Sequence, residues 1–261
     1  MGKIKNSPLV EAIFELRWGE IQPGKLSFPK EESDFFPGIF SQSVRDMGFS
    51  YYEQVNSGEI RPALPFDVKH RFRQSQHSWP CFQIGLGIFT ANQIGNLSVE
   101  SGDDEYDWVT FKPFIMSGLT ALDKSYPSGL ENLARPKANL RYQDGFILEE
   151  GETLESFVSN KIKADLKIAH VFTDEPSISD SCKDIKLDIT YETKRPQGSI
   201  SISLISALIH GQRGIVIDTS VISDFSSGDL SVELFDQWCE ESHDLQRHTF
   251  NTLIRTSDLK G

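Results

Sequence analysis

Asp184-Ile-Lys186, with Asp174 and Asp180 upstream, has the outline of the acid-x-Lys step of metal-dependent nucleases, in which carboxylates hold a divalent ion and the lysine assists the attacking water. The same step recurs at Asp67-x-Lys69, Asp165-x-Lys167, Glu192-x-Lys194 and Asp258-x-Lys260, five in all. Chance placement of 15 lysines among 38 acids supplies about two, so the pattern alone selects nothing. Cys239 and His243 stand four residues apart, the spacing of two metal ligands on one helix face. No second pair exists, because His70, His77, His170 and His210 are scattered singly. Cysteine nucleophiles need a thiolate in electropositive surroundings. Only Cys182, beside Lys183, has a favourable neighbour; Cys81 follows Pro80 and Cys239 lies among acids. Gly85-Leu-Gly87 runs into Ile88-Phe-Thr90, which reads as a strand, so a hairpin turn or bulge explains it better than a dinucleotide loop. There is no G-x-x-x-x-G-K-[ST] loop, G-x-S-x-G elbow or H-E-x-x-H pair. Catalytic residues, cofactors and metals are therefore absent from the leading expectation, and a nuclease or hydrolase centred on Asp184 and Lys186 is the runner-up.

Other polar and aromatic residues suit recognition. Arg17 and Arg141 each sit in or beside a strand next to an aromatic residue, Trp18 or Tyr142. An arginine between apolar neighbours is either paired with a carboxylate or aimed at a ligand. Gln83 and Asn92 flank the Gly85–Gly87 turn, and inward-pointing amides need partners, since an unpaired buried one costs about 1–3 kcal/mol. Tyr106 and Trp108 fall between an acidic loop and a helix, where they either form a hydrophobic staple or meet a partner. Lys69, His70, Arg71 and Arg73 form the strongest local basic cluster, either a phosphate contact or a solvated strand face.

The elements that must position these residues follow from periodicity. Val10, Ala12, Phe14, Leu16 and Trp18 alternate with Glu11, Glu15 and Arg17, a half-buried strand. A Gly- and Pro-rich loop follows, and the spacing of Phe36, Ile39, Phe40 and Val44 predicts a helix over 33–47. Strands are expected near 49–57, 66–76, 81–85 and 88–94, then a helix over 109–126. The second half repeats this order: a strand over 139–148, a helix over 153–163, strands near 167–173, 184–194, 199–210 and 213–222, and a long helix over 230–257. The expected class is α+β: tandem β-α-β-β-β-β-α modules, 1–130 and 131–261, with antiparallel sheets and helices on one face. That order resembles the saddle of the TATA-box-binding protein and its relatives.

Composition bounds the partners. The 261 residues carry 26 basic and 38 acidic side chains, a formal charge of −12, and both halves are acidic. Nucleic-acid binding across the sheet needs a basic face, and this charge argues against it. No apolar run approaches the length of about 18 residues that a membrane helix needs. Residues 1–8 are basic without an apolar stretch, and three widely spaced cysteines suit reduced thiols, so a cytoplasmic setting is expected.

Four stretches resemble an uncharacterised bacterial family of similar length with a sporadic distribution among genomes. They are Pro8 to Trp18, Trp79 to Asn92 with Tyr106-Asp-Trp108, Leu140-Arg-Tyr-Gln-Asp-Gly-Phe146, and His243 to Phe250. The resemblance implies a setting in mobile or defence-related loci and carries over no activity. The expectation is a non-enzymatic protein-binding module, with Arg17, Trp18, Gln83, Asn92, Tyr106, Trp108, Arg141, Tyr142, Asp144 and His243 as candidate binding residues. The partner is another protein; homo-oligomerisation through strand edges is left open.

Overall fold

The computed structural model describes residues 8–55, 64–95, 106–127, 129–163, 177, 182–228 and 230–254. The two-residue period noted above makes β1 (Leu9–Arg17), with Ala12, Phe14 and Leu16 fully buried. The Gly- and Pro-rich stretch contains a small hairpin, β2 (Glu20–Gln22) and β3 (Lys25–Leu26), turning at Pro23-Gly24. The single helix expected over 33–47 is instead two, α1 (Lys30–Asp34) and α2 (Phe36–Arg45). Pro37 is the reason: it has no N–H to return to the preceding turn and its ring obstructs a continuous helix, yet it suits the first turn of a new one.

Four strands follow, β4 (Tyr51–Gln54), β5 (Val68–Arg73), β6 (Cys81–Gly85) and β7 (Ile88–Ile94), and then α3 (Trp108–Ser125). Gly85 pairs with Ile88, so Leu86-Gly87 is a hairpin turn. Gly87 takes φ +72°, and a Cβ there would lie 2.5 Å from Phe28 and 2.8 Å from the Trp18 carbonyl oxygen. The second half runs β8 (Lys137–Ile147), α4 (Leu154–Lys161), β9 (Lys186–Lys194), β10 (Gln197–Ile209), β11 (Gln212–Asp224) and α5 (Val232–Leu253). His210-Gly211, both at positive φ (49° and 77°), form the two-residue turn between β10 and β11. The strand expected near 167–173 lies outside the described residues. Asp224 ends β11.

Nine strands make one sheet, in the order β4-β5-β6-β7-β1-β8-β11-β10-β9, and every pairing is antiparallel. The described helices pack on one face. Phe36, Phe40 and Val44 of α2, Phe111, Ile115, Leu119 and Leu122 of α3, and Phe235, Trp238 and Cys239 of α5 share one core with Phe14, Phe72, Phe82, Phe89 and Leu140 of the sheet. A second core lies under α4, where Leu154, Phe157 and Val158 meet Phe146, Leu204, Ile215 and Ile217. Residues of the opposite parity, among them Glu11, Asn92, Arg141, Asp218 and Ser201, form the other face, over which no described helix lies.

Candidate functional site

Five of the residues singled out in the sequence converge where the start of α3, β8 and α5 meet. Asp107 caps α3 by accepting from the Val109 N–H at 3.1 Å. This sets Tyr106 against Phe111, ring centroids 5.7 Å apart, the geometry of a hydrophobic staple. The Tyr106 hydroxyl meets that of Tyr142 at 2.7 Å, and Tyr142 meets His243 Nδ1 at 2.9 Å. Trp108 stacks on the His243 ring at 4.2 Å and 9°, while its indole N–H donates to Glu240 at 3.3 Å. Glu240 and Asp236 also hold Lys112, at 3.0 and 3.1 Å. Burial pushes His243 down to about 4, with Arg247 adding to the shift, so the ring is neutral near pH 7. Burial likewise lifts both phenols above their ordinary range.

Asp144 projects from the same face of β8 as Tyr142 and is 7% exposed. Burial, and secondarily the charge of Asp218, raises its carboxyl to about 7. The junction thus holds a neutral, weakly basic imidazole beside protonated phenols, and its nearest thiol, Cys239, is pushed up by burial. Cys239 is fully buried, and His243 is engaged by Tyr142 and Trp108. Among the described residues, no group of three or more His, Cys, Asp or Glu is placed to hold a metal ion.

Gln83, Asn92 and Arg141 lie instead on the opposite face. Arg71 spans Glu53 (3.2 Å) and Gln83 (3.2 Å), Gln83 donates to Asn92 (2.9 Å), and Asn92 donates to Glu11 (2.8 Å). Thr90 donates to the same Asn92 oxygen at 2.6 Å. This row crosses five adjacent strands, from β4 to β1, and provides the partners that the two buried amides require. On the other side of the seam, the Arg141 Nε reaches both Asp218 oxygens, at 2.9 and 2.8 Å, and Gln143 donates to Asp218 at 3.1 Å. Farther out, Thr190 meets Ser201 at 2.8 Å and Ser203 donates to Asp188 at 2.5 Å.

Compared with protein-family models, curated proteins and solved structures, the chain matches none.

Arg17 and Trp18 part company at the end of β1. Arg17 pairs with Glu15 at 2.8 Å and lies 5.5 Å from the Phe66 ring centre. Trp18 is buried and donates to Glu32 at 3.3 Å; the Tyr126 hydroxyl (2.8 Å) and the Gly87 N–H (2.8 Å) donate to the same carboxylate. Glu32 is 2% exposed and its carboxyl is raised by burial, against the lowering effect of these donors. Sequence reasoning missed it, since a glutamate in Lys-Glu-Glu-Ser reads as helix surface. Asp218 was missed too, although a lone carboxylate inside Gly-Ile-Val-Ile-Asp-Thr-Ser-Val is a visible signal. Of the nuclease outline, Asp184 accepts from Ser206 at 3.4 Å and Lys186 pairs with Asp188 at 3.3 Å; Asp174 and Asp180 lie outside the described residues.

Proposed function

We propose that the chain is a non-enzymatic binding module and that the sheet face opposite the helices docks another protein. In this reading two β-α-β-β-β-β-α repeats join edge to edge at β1 and β8, a saddle like that of the TATA-box-binding protein. The strand order supports it: from the seam outward, one side runs β1-β7-β6-β5-β4 and the other β8-β11-β10-β9, each beginning with the first strand of its half and then counting down. The setting we propose is an accessory or regulatory component of a bacterial defence or mobile-element locus, in the cytoplasm.

The observation that carries the reading is the charge pairing of that face. Arg17 is matched by Glu15, Arg71 by Glu53, Arg141 by Asp218 and Lys186 by Asp188. A phosphate backbone is held by cations whose counterions it displaces, and these cations already have carboxylate partners. What the face offers, chiefly over β8, β11, β10 and β9, is a field of hydroxyls with partly exposed aliphatics, Ile13, Ile205, Val216 and Ile222, the mixture that protein interfaces use. The acidic helix α5 is a weaker candidate, because Glu240 is taken by Lys112, Glu241 by Arg195 and Asp244 by Arg247.

The test is site-directed photo-crosslinking in a bacterial host, with the crosslinker at Ser201 or Thr190 on the proposed face and at Ile39 on the helix side. A defined protein adduct from the first two positions only, with the Thr190 adduct lost on Ser201→Arg, is the expected result. Adducts to nucleic acid, or equal labelling from Ile39, would overturn the reading.

A further inference from the structure

Between the two halves lies a half-open cleft of about 720 Å3 at one end of the seam, walled by the end of β1, the start of β8 and the segment after β11. Its volume falls in the range of small-molecule sites, roughly 300–1,000 Å3. In a chain of net charge −12 its lining sets three cations, Arg17, Arg135 and Lys137, against two carboxylates, Glu20 and Asp224, together with Phe66, Phe225 and the buried Trp18. Two of these cations are engaged, Arg17 with Glu15 (2.8 Å) and Lys137 with Asp224 (3.2 Å). Arg135 differs: no carboxylate of the described residues pairs with its guanidinium, and only its backbone N–H is held, by Ser227 Oγ at 3.4 Å.

The backbone around the cavity is unusual as well. Among the described residues only three other than glycine take positive φ, and two of them, Phe66 (67°) and Arg135 (44°), line this cavity. Such conformations cost about 1–2 kcal/mol per residue and persist only where their surroundings hold them. Here they are held. Phe66 N–H donates to Leu86 at 2.8 Å, Gly19 N–H to Ala134 at 2.8 Å, Phe225 N–H to Pro136 at 2.8 Å, and Ser227 Oγ to Leu133 at 2.8 Å. A guanidinium is thus presented on a pinned loop in a lining it shares with Phe66, which lies near Arg17, with Phe225, which packs on Phe235 and Trp238, and with Ser226 and Ser227.

We infer that this cavity binds a small planar phosphate monoester of nucleotide size, its phosphate on the Arg135 guanidinium and its ring against Phe66 and Phe225. A guanidinium matches the geometry of a phosphate in a bidentate pair, and of the two serines in the lining Ser226 can add a donor, the Ser227 proton being given to Leu133. The cleft opens at one end of the sheet face discussed above and shares Arg17 with it, but calorimetry with small molecules and crosslinking to a protein read the two proposals separately.

Isothermal titration calorimetry with the four common nucleoside monophosphates, the corresponding nucleosides and inorganic phosphate decides it. The expected result is that at least one monophosphate binds about tenfold or more tighter than its nucleoside and than inorganic phosphate. Arg135→Gly, which relaxes the positive φ while deleting the guanidinium, removes binding without lowering the melting temperature. Asp224→Asn, which deletes a competing carboxylate, tightens it severalfold. Absence of binding by all four monophosphates, equal binding of nucleosides or inorganic phosphate, or undiminished binding by Arg135→Gly would each overturn the proposal.

Discussion

Asp144 and His243 titrate in opposite senses across the same pH window. An unfolded aspartate ionises near pH 3.9, whereas folded Asp144 keeps its proton to about pH 7, so the folded chain binds the extra proton in between and stability falls as pH rises through that window. Histidine unfolded takes up its proton near pH 6.5, whereas folded His243 resists until about pH 4, so its contribution makes stability rise with pH over nearly the same range. The two slopes largely cancel in the parent chain. Asp144→Asn should expose the His243 slope and His243→Gln the Asp144 slope, the latter on the order of 3 kcal/mol between pH 4 and 7. Urea unfolding at a series of pH values reads both, and variants that keep the parent's pH profile would refute the account. Neither residue announces this in the sequence, because their environment is built by Tyr106, Trp108 and Tyr142, contributed by other parts of the chain.

Helix α3 shows how much of an element is readable and where reading stops. Its buried stripe, Phe111, Ile115, Leu119 and Leu122, is plain from spacing, and so is the staple at its start. Gly118 is not: a glycine in mid-helix lowers propensity, and only the packing explains it. A Cβ at Gly118 would lie 2.4 Å from Phe82 and 2.7 Å from Phe89, so the helix presses its backbone onto the aromatic layer of β6 and β7. Phe82 is in turn stacked on Phe114 at 4.0 Å and has little room to withdraw. Gly118→Ala should therefore destabilise by about 1–3 kcal/mol despite the better helix former. A lowered urea midpoint is the expected outcome, and an unchanged or raised one refutes the close approach. The α1–α2 break has the same character: hydrophobic spacing continues through it, and the backbone chemistry of Pro37 overrides the pattern.

For the whole molecule, alternation in strands such as β1 and β9 made an antiparallel sheet legible, while the order of its strands was not. Which strands sit at the seam depends on pairings between distant segments, such as Ile13 with Arg141. The seam is also a shared core. Phe14 of β1 packs edge-on against Phe235 and Trp238 of α5, both at 6.2 Å, so the last described helix covers the first strand. The two halves are therefore expected to unfold as one unit: calorimetry should give a single transition with matching calorimetric and van't Hoff enthalpies, and two resolved transitions would contradict it. The central place of β1 bears on biosynthesis too. The strand made first, of those described, lies in the middle of the sheet, and one of its edges waits for β7 and the other for β8. During translation it leaves the ribosome with an apolar side and both hydrogen-bonding edges unmatched, which makes the nascent chain a natural client for holding chaperones until the second half has emerged.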